Sequence, residues 1–139
     1  KAVEIFKIIE KQEESNIELF EKIGYCYQRL GQYENALTYY QRAQLLNESK
    51  EWIIKKIALC HRYLDNHKEA KKQYEKLIKF IPRLQDYYLY LYRYSVSQIK
   101  LSEYDKAITN LNELVNSTGH EYRVIGYYYL GLANFYKQN

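Results

Sequence analysis

Ile23, Gly24, Cys26, Leu30, Ala36 and Tyr40 recur as Ile57, Ala58, Cys60, Leu64, Ala70 and Tyr74, each 34 positions further along the chain. A step back by the same interval sets Ala2 under Ala36 and Phe6 under Tyr40. A step forward sets Tyr104, Ala107 and Leu111 under Tyr33, Ala36 and Tyr40, with three residues inserted near 85–87. After a few more inserted residues, Leu132, Ala133 and Tyr136 fall beneath Ile23, Gly24 and Tyr27. A period of this length marks one supersecondary unit whose apolar face is too wide to bury alone, so successive units must stack.

Each period reads as two amphipathic helices. Phe20, Ile23, Gly24, Tyr27 and Leu30 keep the i, i+3, i+4, i+7 spacing, and so do Ala36, Leu37, Tyr40 and Ala43. Ser15 with Glu18, Asn66 with Glu69, Ser102 with Asp105 and Thr118 with Glu121 fit capping boxes at helix starts. Gly31 marks a turn between helices, and Pro82 ends a helix because it lacks an amide hydrogen. Only "DYYLYLYRYSVSQ" (86–98) speaks against helix, since Tyr88, Tyr90, Tyr92 and Tyr94 alternate as in a strand. The repeat frame overrides that alternation: 88–101 occupies a first-helix slot, with Leu91, Tyr94, Ser95 and Gln98 inward and Tyr92 and Val96 on the neighbouring face. With 5 Gly and 1 Pro in 139 residues, the chain is also too poor in turn formers for an all-β fold.

These residues resemble the tetratricopeptide repeat family, whose unit reads W-x2-L-G-x2-Y, then A-x3-F, then P. Residues 20–43 supply Phe20, Ile23-Gly24, Tyr27, Ala36, Tyr40 and Ala43; the next copy supplies Ile54, Ile57-Ala58, Ala70, Tyr74, Leu77 and Pro82, with His61 in place of the Tyr. The third copy is degenerate, with Ser95 in the small-residue slot and Gln98 in the Tyr slot. The resemblance implies an all-α, right-handed alpha-alpha superhelix, a solenoid of antiparallel helix pairs. It divides the chain into a second helix (1–16), repeats at 17–50 and 51–84, a degenerate repeat at 88–121 and a first helix at 122–139. The lack of Met and of a polar cap at either end suggests an excerpt from a longer array.

Catalytic signatures do not accompany the repeats. The sequence has no Gly-rich phosphate loop, no H-E-x-x-H and no CxxC pair, so no metal or cofactor is expected and the chain does not read as an enzyme. Cys26 and Cys60 share one packing slot and read as buried thiols; His61, His67 and His120 read as packing, turn and loop residues. No apolar run is long enough to span a bilayer, and Glu4 and Glu10 interrupt any signal-like segment; the compartment stays open. The formal net charge of +4 is concentrated in 51–84, where nine Lys/Arg exceed four Asp/Glu by five. Most of that excess (Lys68, Lys71, Lys72, Lys76, Lys79) falls on a second helix, where it reads as a solvated convex face rather than a nucleic-acid site.

The resemblance places binding in a concave groove lined by first helices. The groove-facing positions are Glu18, Glu21, Tyr25, Gln28 and Arg29, then Trp52, Lys55, Leu59, Arg62 and Tyr63, then Leu89, Tyr92, Val96 and Lys100, and last Tyr127, Leu130 and Asn134. Within that set Tyr25, Arg29, Trp52, Lys55, Arg62, Tyr63, Leu89, Tyr92 and Lys100 are the candidate contacts for a peptide or helix of a protein partner, combining rigid rings with fixed cations. The carboxylate clamp by which some members hold chaperone C-termini is not expected, because Glu21, Tyr25, Lys56 and Leu89 stand where it needs other residues and only Arg93 fits. The sequence thus reads as a non-catalytic interaction scaffold. The alternative is a regulatory or sensing arm of a larger protein, or an oligomerisation module joined through uncapped ends.

Overall fold

The computed structural model describes residues 2–10, 16–47, 50–80 and 86–139. Among them there are helices and turns but no strand. Residues Lys1–Asn66 and His67–Asn139 form two compact units. The first holds α1 (Ala2–Glu10), α2 (Ile17–Arg29), α3 (Tyr33–Leu46) and α4 (Glu51–Tyr63); the second holds α5 (His67–Phe80), α6 (Tyr87–Lys100), α7 (Tyr104–Val115) and α8 (His120–Gln138). The tyrosine-alternating stretch lies in α6, with Tyr90, Leu91, Ser95 and Gln98 buried and Tyr94 half-buried. Pro82 lies outside the described residues.

Three helix ends use one turn. After α2, Gly31 takes φ +73; Asp65 and Ser102 repeat that left-handed residue after α4 and α6 with φ 58 and 62. In each case the next amide reaches back to a carbonyl of the last turn: Gln32 to Tyr27 at 2.9 Å, Asn66 to His61 at 2.8 Å, Glu103 to Gln98 at 2.8 Å. The left-handed residue's own amide donates to Gln28, Arg62 or Ile99. These paired bonds satisfy carbonyls that a helix end leaves orphaned and fold the chain straight into the next helix. The turn corrects a sequence expectation, because Ser102 closes α6 instead of capping α7, whose N-cap is Glu103. Likewise α2 is capped by Asn16, whose Oδ1 accepts from the Leu19 amide at 3.0 Å, and α8 by Gly119 rather than Thr118. Ser15 lies outside the described residues, and Asn66 immediately precedes α5.

The core of the first unit interlocks small residues with large ones. α2 and α3 run antiparallel, which brings Gln28 to Tyr40 and Phe20 to Arg42. A Cβ at Gly24 would stand 2.7 Å from Tyr40 Cε1, so the glycine is the space into which that ring drops. Tyr40 is fully buried, donates its hydroxyl to Gln28 Oε1 at 2.7 Å and meets Trp52 edge-on at 5.7 Å. Leu19, Phe20, Ile23, Tyr27, Ala36, Ala43, Ile53, Ile57 and Cys60 are the other buried members of the cluster.

The second unit builds its own core from Leu91, Ile99, Ala107, Leu111, Leu114 and Ala133, with Tyr92, Tyr129 and Leu130 packed against it. α6 and α8 lie side by side in parallel, since Tyr88 meets Tyr122 and Tyr92 meets Tyr129. Antiparallel α7 covers α8, with Val115 against Gly126 and Tyr104 against Tyr136. Of the recurring alanines, Ala36, Ala70 and Ala107 are fully buried, whereas Ala2 is exposed. The α8 register differs from the sequence expectation. Ala133 is buried in the α7-side core while Gly131 faces open space, so Leu130-Gly131, not Leu132-Ala133, answers Ile23-Gly24.

Candidate functional site

An open cleft of about 560 Å³ lies between α2 and the start of α4, lined by Glu18, Glu21, Lys22, Tyr25, Cys26 and Trp52. Its walls follow from the repeat: α2 and α4 are equivalent first helices, and residues off their core stripes face each other across the gap. Tyr25 and Trp52 remain exposed in it, at 44% and 36%. The Lys56 ammonium is 5.4 Å from both ring centres and ties them together. Burial, then the neighbouring Lys55 charge, pushes the Lys56 pKa below the usual lysine range. The acidic wall is neutralised locally: Lys22 pairs with Glu18 at 3.0 Å and Lys50 with Glu21 at 2.8 Å. The cleft therefore offers two fixed rings, a clamped cation and few open charges, which suits an apolar side chain of a ligand.

The other sequence candidates are dispersed. Arg29 is exposed at the end of α2 and Lys55 is half-buried on α4. Tyr63, although 54% exposed, stacks on Tyr33 at 4.4 Å and 2° and carries the Arg62 guanidinium 4.8 Å from its ring centre. That pair covers the α3–α4 seam. Tyr92 seals the α6–α8 seam, its ring 5.3 Å from Tyr129 and under the guanidinium of Arg93 at 4.7 Å. Leu89 is half-buried near the start of α6. Lys100 lines a separate cavity of about 390 Å³ with Val96, Ile99, Tyr104, Tyr128 and Tyr136. From α8 that cavity takes Tyr128, Tyr129, Leu132 and Tyr136; Leu130 packs on the core instead, and Asn134 donates to the Leu130 carbonyl. The clamping role of Lys56 escaped the sequence reading, although its i+4 spacing from Trp52 on one helix could have disclosed it.

The thiols and basic residues have structural settings. Cys60 is buried, which pushes its thiol up to about 12, while Cys26 is only partly covered because it borders the cleft. On α5, Lys71 contacts both Glu103 oxygens at 2.6 and 2.8 Å, and Lys72 and Lys79 pair with Glu69 and Glu75 along the helix. Among the described residues no group of His, Cys, Asp or Glu could hold a metal ion, and no helix is long and apolar enough to cross a membrane.

Tetratricopeptide repeat profiles match residues 18–50, 56–80 and 90–117. Comparison with curated proteins finds no significant match. Among solved structures, that of MamA superposes with a TM-score of 0.82 over 98% of this chain and 77% of its own, at 19% identity. A tetratricopeptide repeat protein from Parabacteroides merdae gives 0.80 over 96% and 52%, at 22% identity. The Sgt2 TPR domain from Aspergillus fumigatus gives 0.67 over 88% and 79%, at 13% identity. At these identities the likeness establishes the fold, an all-α stack of antiparallel helix pairs.

Proposed function

Because the chain belongs to the tetratricopeptide repeat family, we propose that it is a non-catalytic protein-interaction scaffold whose α2–α4 cleft captures a peptide or helix of a partner protein. In this reading the cleft comes from the first helices of the repeats at 17–50 and 51–84. The supporting observation is Trp52, the sole Trp, exposed beside Tyr25 with Lys56 holding both rings. Rings held in this way lose little freedom on binding, so an apolar anchor entering the cleft keeps most of its gain from leaving water. Tyr25, Trp52 and Lys55 are the proposed contacts on this surface, with Arg29 at its rim; Arg62 and Tyr63 bear on the ligand only if it continues along α4, and Leu89, Tyr92 and Lys100 are not part of this cleft.

Selection of a random peptide library on the immobilised protein tests the proposal. Selected peptides should alter Trp52 fluorescence, and Tyr25→Ala or Trp52→Ala should weaken them by roughly 2 kcal/mol, the scale of an interface hot spot. Peptides that bind both variants as tightly as wild type, each folded by circular dichroism, would refute the reading.

A further inference from the structure

The seam where a second helix meets the next first helix is built once in each unit, and the two copies differ. In the first unit Tyr33, at the start of α3, stacks flat on Tyr63 at the end of α4, with centroids 4.4 Å apart and planes 2° apart. In the second unit the equivalent pair, Tyr104 and Tyr136, stands 6.2 Å apart with planes tilted by 24°. Both of those rings line a cavity of about 390 Å³, a size within the range of small-molecule sites. The walls change as well. Tyr128, Tyr129 and Tyr136 of α8 stand 73 positions after Lys55, Lys56 and Tyr63 of α4, so rings replace two lysines. Lys100, Ser102 and Tyr104 stand 71 positions after Arg29, Gly31 and Tyr33. The α8 residues of the cavity lie off the face marked by Gly131, the equivalent of Gly24, on which Tyr40 of the following helix packs in the first unit. The cavity is therefore walled by α6, the α6–α7 turn, α7 and α8 alone.

This aromatic cavity also holds one open charge. Lys100 has no carboxylate partner among the described residues: Glu103 gives both oxygens to Lys71, and Asp105 is taken by Lys137 at 2.6 Å. Ser102 lines the same cavity. Its hydroxyl accepts from the Tyr104 hydroxyl at 3.3 Å, which leaves its own proton to donate. The chain holds Ser102 at φ 62, where Gly31 serves in the first unit, although a side chain is strained there. An ammonium and a hydroxyl with protons to give suit an anion, and tyrosine faces suit a flat ring. We propose that the cavity binds a small aromatic anion, its ring against the tyrosines and its carboxylate or phosphate on Lys100 and Ser102. The site is independent of the α2–α4 cleft, with which it shares no residue.

Titration of the whole chain with phenylacetate and with phenyl phosphate, followed by amide NMR, tests the proposal. Shifts should centre on the Ser102 and Tyr104 amides and saturate. Benzyl alcohol has the ring without the charge, and acetate and inorganic phosphate have the charge without the ring. Each of these should bind roughly tenfold more weakly, the scale of one lost contact of this kind. Lys100→Gln should weaken both aromatic anions by roughly tenfold and leave benzyl alcohol unchanged. Ser102→Gly should weaken them while raising the thermal midpoint, so that its loss of binding is not a loss of fold. A response to only one of the two aromatic anions supports the site and names its anionic group. No saturable binding of either at millimolar concentration overturns the proposal. Benzyl alcohol that binds as tightly as the anions, or Lys100→Gln that binds them as wild type does, overturns it as well. Shifts centred on Tyr25 and Trp52 assign the ligand to the α2–α4 cleft and overturn it too.

Discussion

Gly24→Ala adds one methyl group, and the structure fixes what that methyl must meet. Its Cβ would lie 2.7 Å from Tyr40 Cε1 and 2.8 Å from Cδ1, well inside van der Waals contact. The ring cannot give way easily. It is fully buried, its hydroxyl is held by Gln28 Oε1 at 2.7 Å, and Trp52 packs edge-on against it. Forcing a methyl group into such a site costs about 1–3 kcal/mol. Alanine returns about 1 kcal/mol of helix propensity relative to glycine. The net expectation is a loss of about 1 kcal/mol in the first unit.

Trp52 fluorescence is the appropriate probe in urea, because the only Trp touches Tyr40 and reports that unit. A lower midpoint at unchanged slope is expected. Two further variants separate steric conflict from any general effect of Gly→Ala. In a Tyr40→Leu background the obstructing ring is gone, and Gly24→Ala should become neutral or stabilising; the cycle isolates the Gly24–Tyr40 term. At Gly131, where a Cβ meets nothing, Gly→Ala should stabilise by roughly 0.5–1 kcal/mol, followed by circular dichroism. If Gly24→Ala raised the midpoint in the wild-type background, the claim that Tyr40 occupies the glycine's space would be wrong.

Three other outcomes follow from the same geometry. Asp65→Gly and Ser102→Gly remove side chains from left-handed positions and should each stabilise by about 1 kcal/mol in thermal unfolding, while Gly31→Ala should cost about 1–2 kcal/mol. Cys60, with its thiol pushed up to about 12 by burial, should resist a thiol reagent until the protein unfolds, whereas half-buried Cys26 reacts first. The sign of the pH effect follows: the unfolded thiol ionises near its ordinary 9.0 and the folded one does not, so stability should fall from that pH up to about 12, and Cys60→Ala should flatten the fall. For Lys71 and Glu103, joined at 2.6 and 2.8 Å with both side chains under a quarter exposed, a Lys71→Met/Glu103→Gln cycle should give about 1 kcal/mol of coupling that shrinks in high salt.

The helix pairs were legible because their spacing is enforced twice, once by the 3.6-residue stripe and again by the 34-residue match of small and large residues. That double constraint overrode the tyrosine alternation of 86–98 and put Leu91, Ser95 and Gln98 inside. Helix ends obey weaker rules. Ser102 looks like a capping residue because Asp105 follows three positions later, yet the packing of α7 on α6 needs a left-handed residue there, and serine accepts the strain. The α8 register failed for a related reason: Leu130-Gly131 and Leu132-Ala133 both fit the pattern, and only the burial of Ala133 separates them.

Tyrosine explains why the candidate site was only partly readable. Tyr27 with Tyr39, Tyr33 with Tyr63, Tyr92 with Tyr129 and Tyr104 with Tyr136 all meet across seams between helices, with centroids 4.4–6.2 Å apart. A ring with a hydroxyl edge can seal a seam and still touch water, so the same residue type satisfies a structural or a binding role, and helical phase alone does not separate them. Position along the helix does. Tyr63 stands at the end of α4, where antiparallel α3 begins with Tyr33, so a ring lies within reach to stack on. Tyr25 sits in the body of α2, and the neighbouring first helix offers it Lys56 and a cleft instead of a stacked ring. The period dictates which residues meet inside a repeat; the offsets between neighbouring helices decide which aromatic residues remain available to a partner.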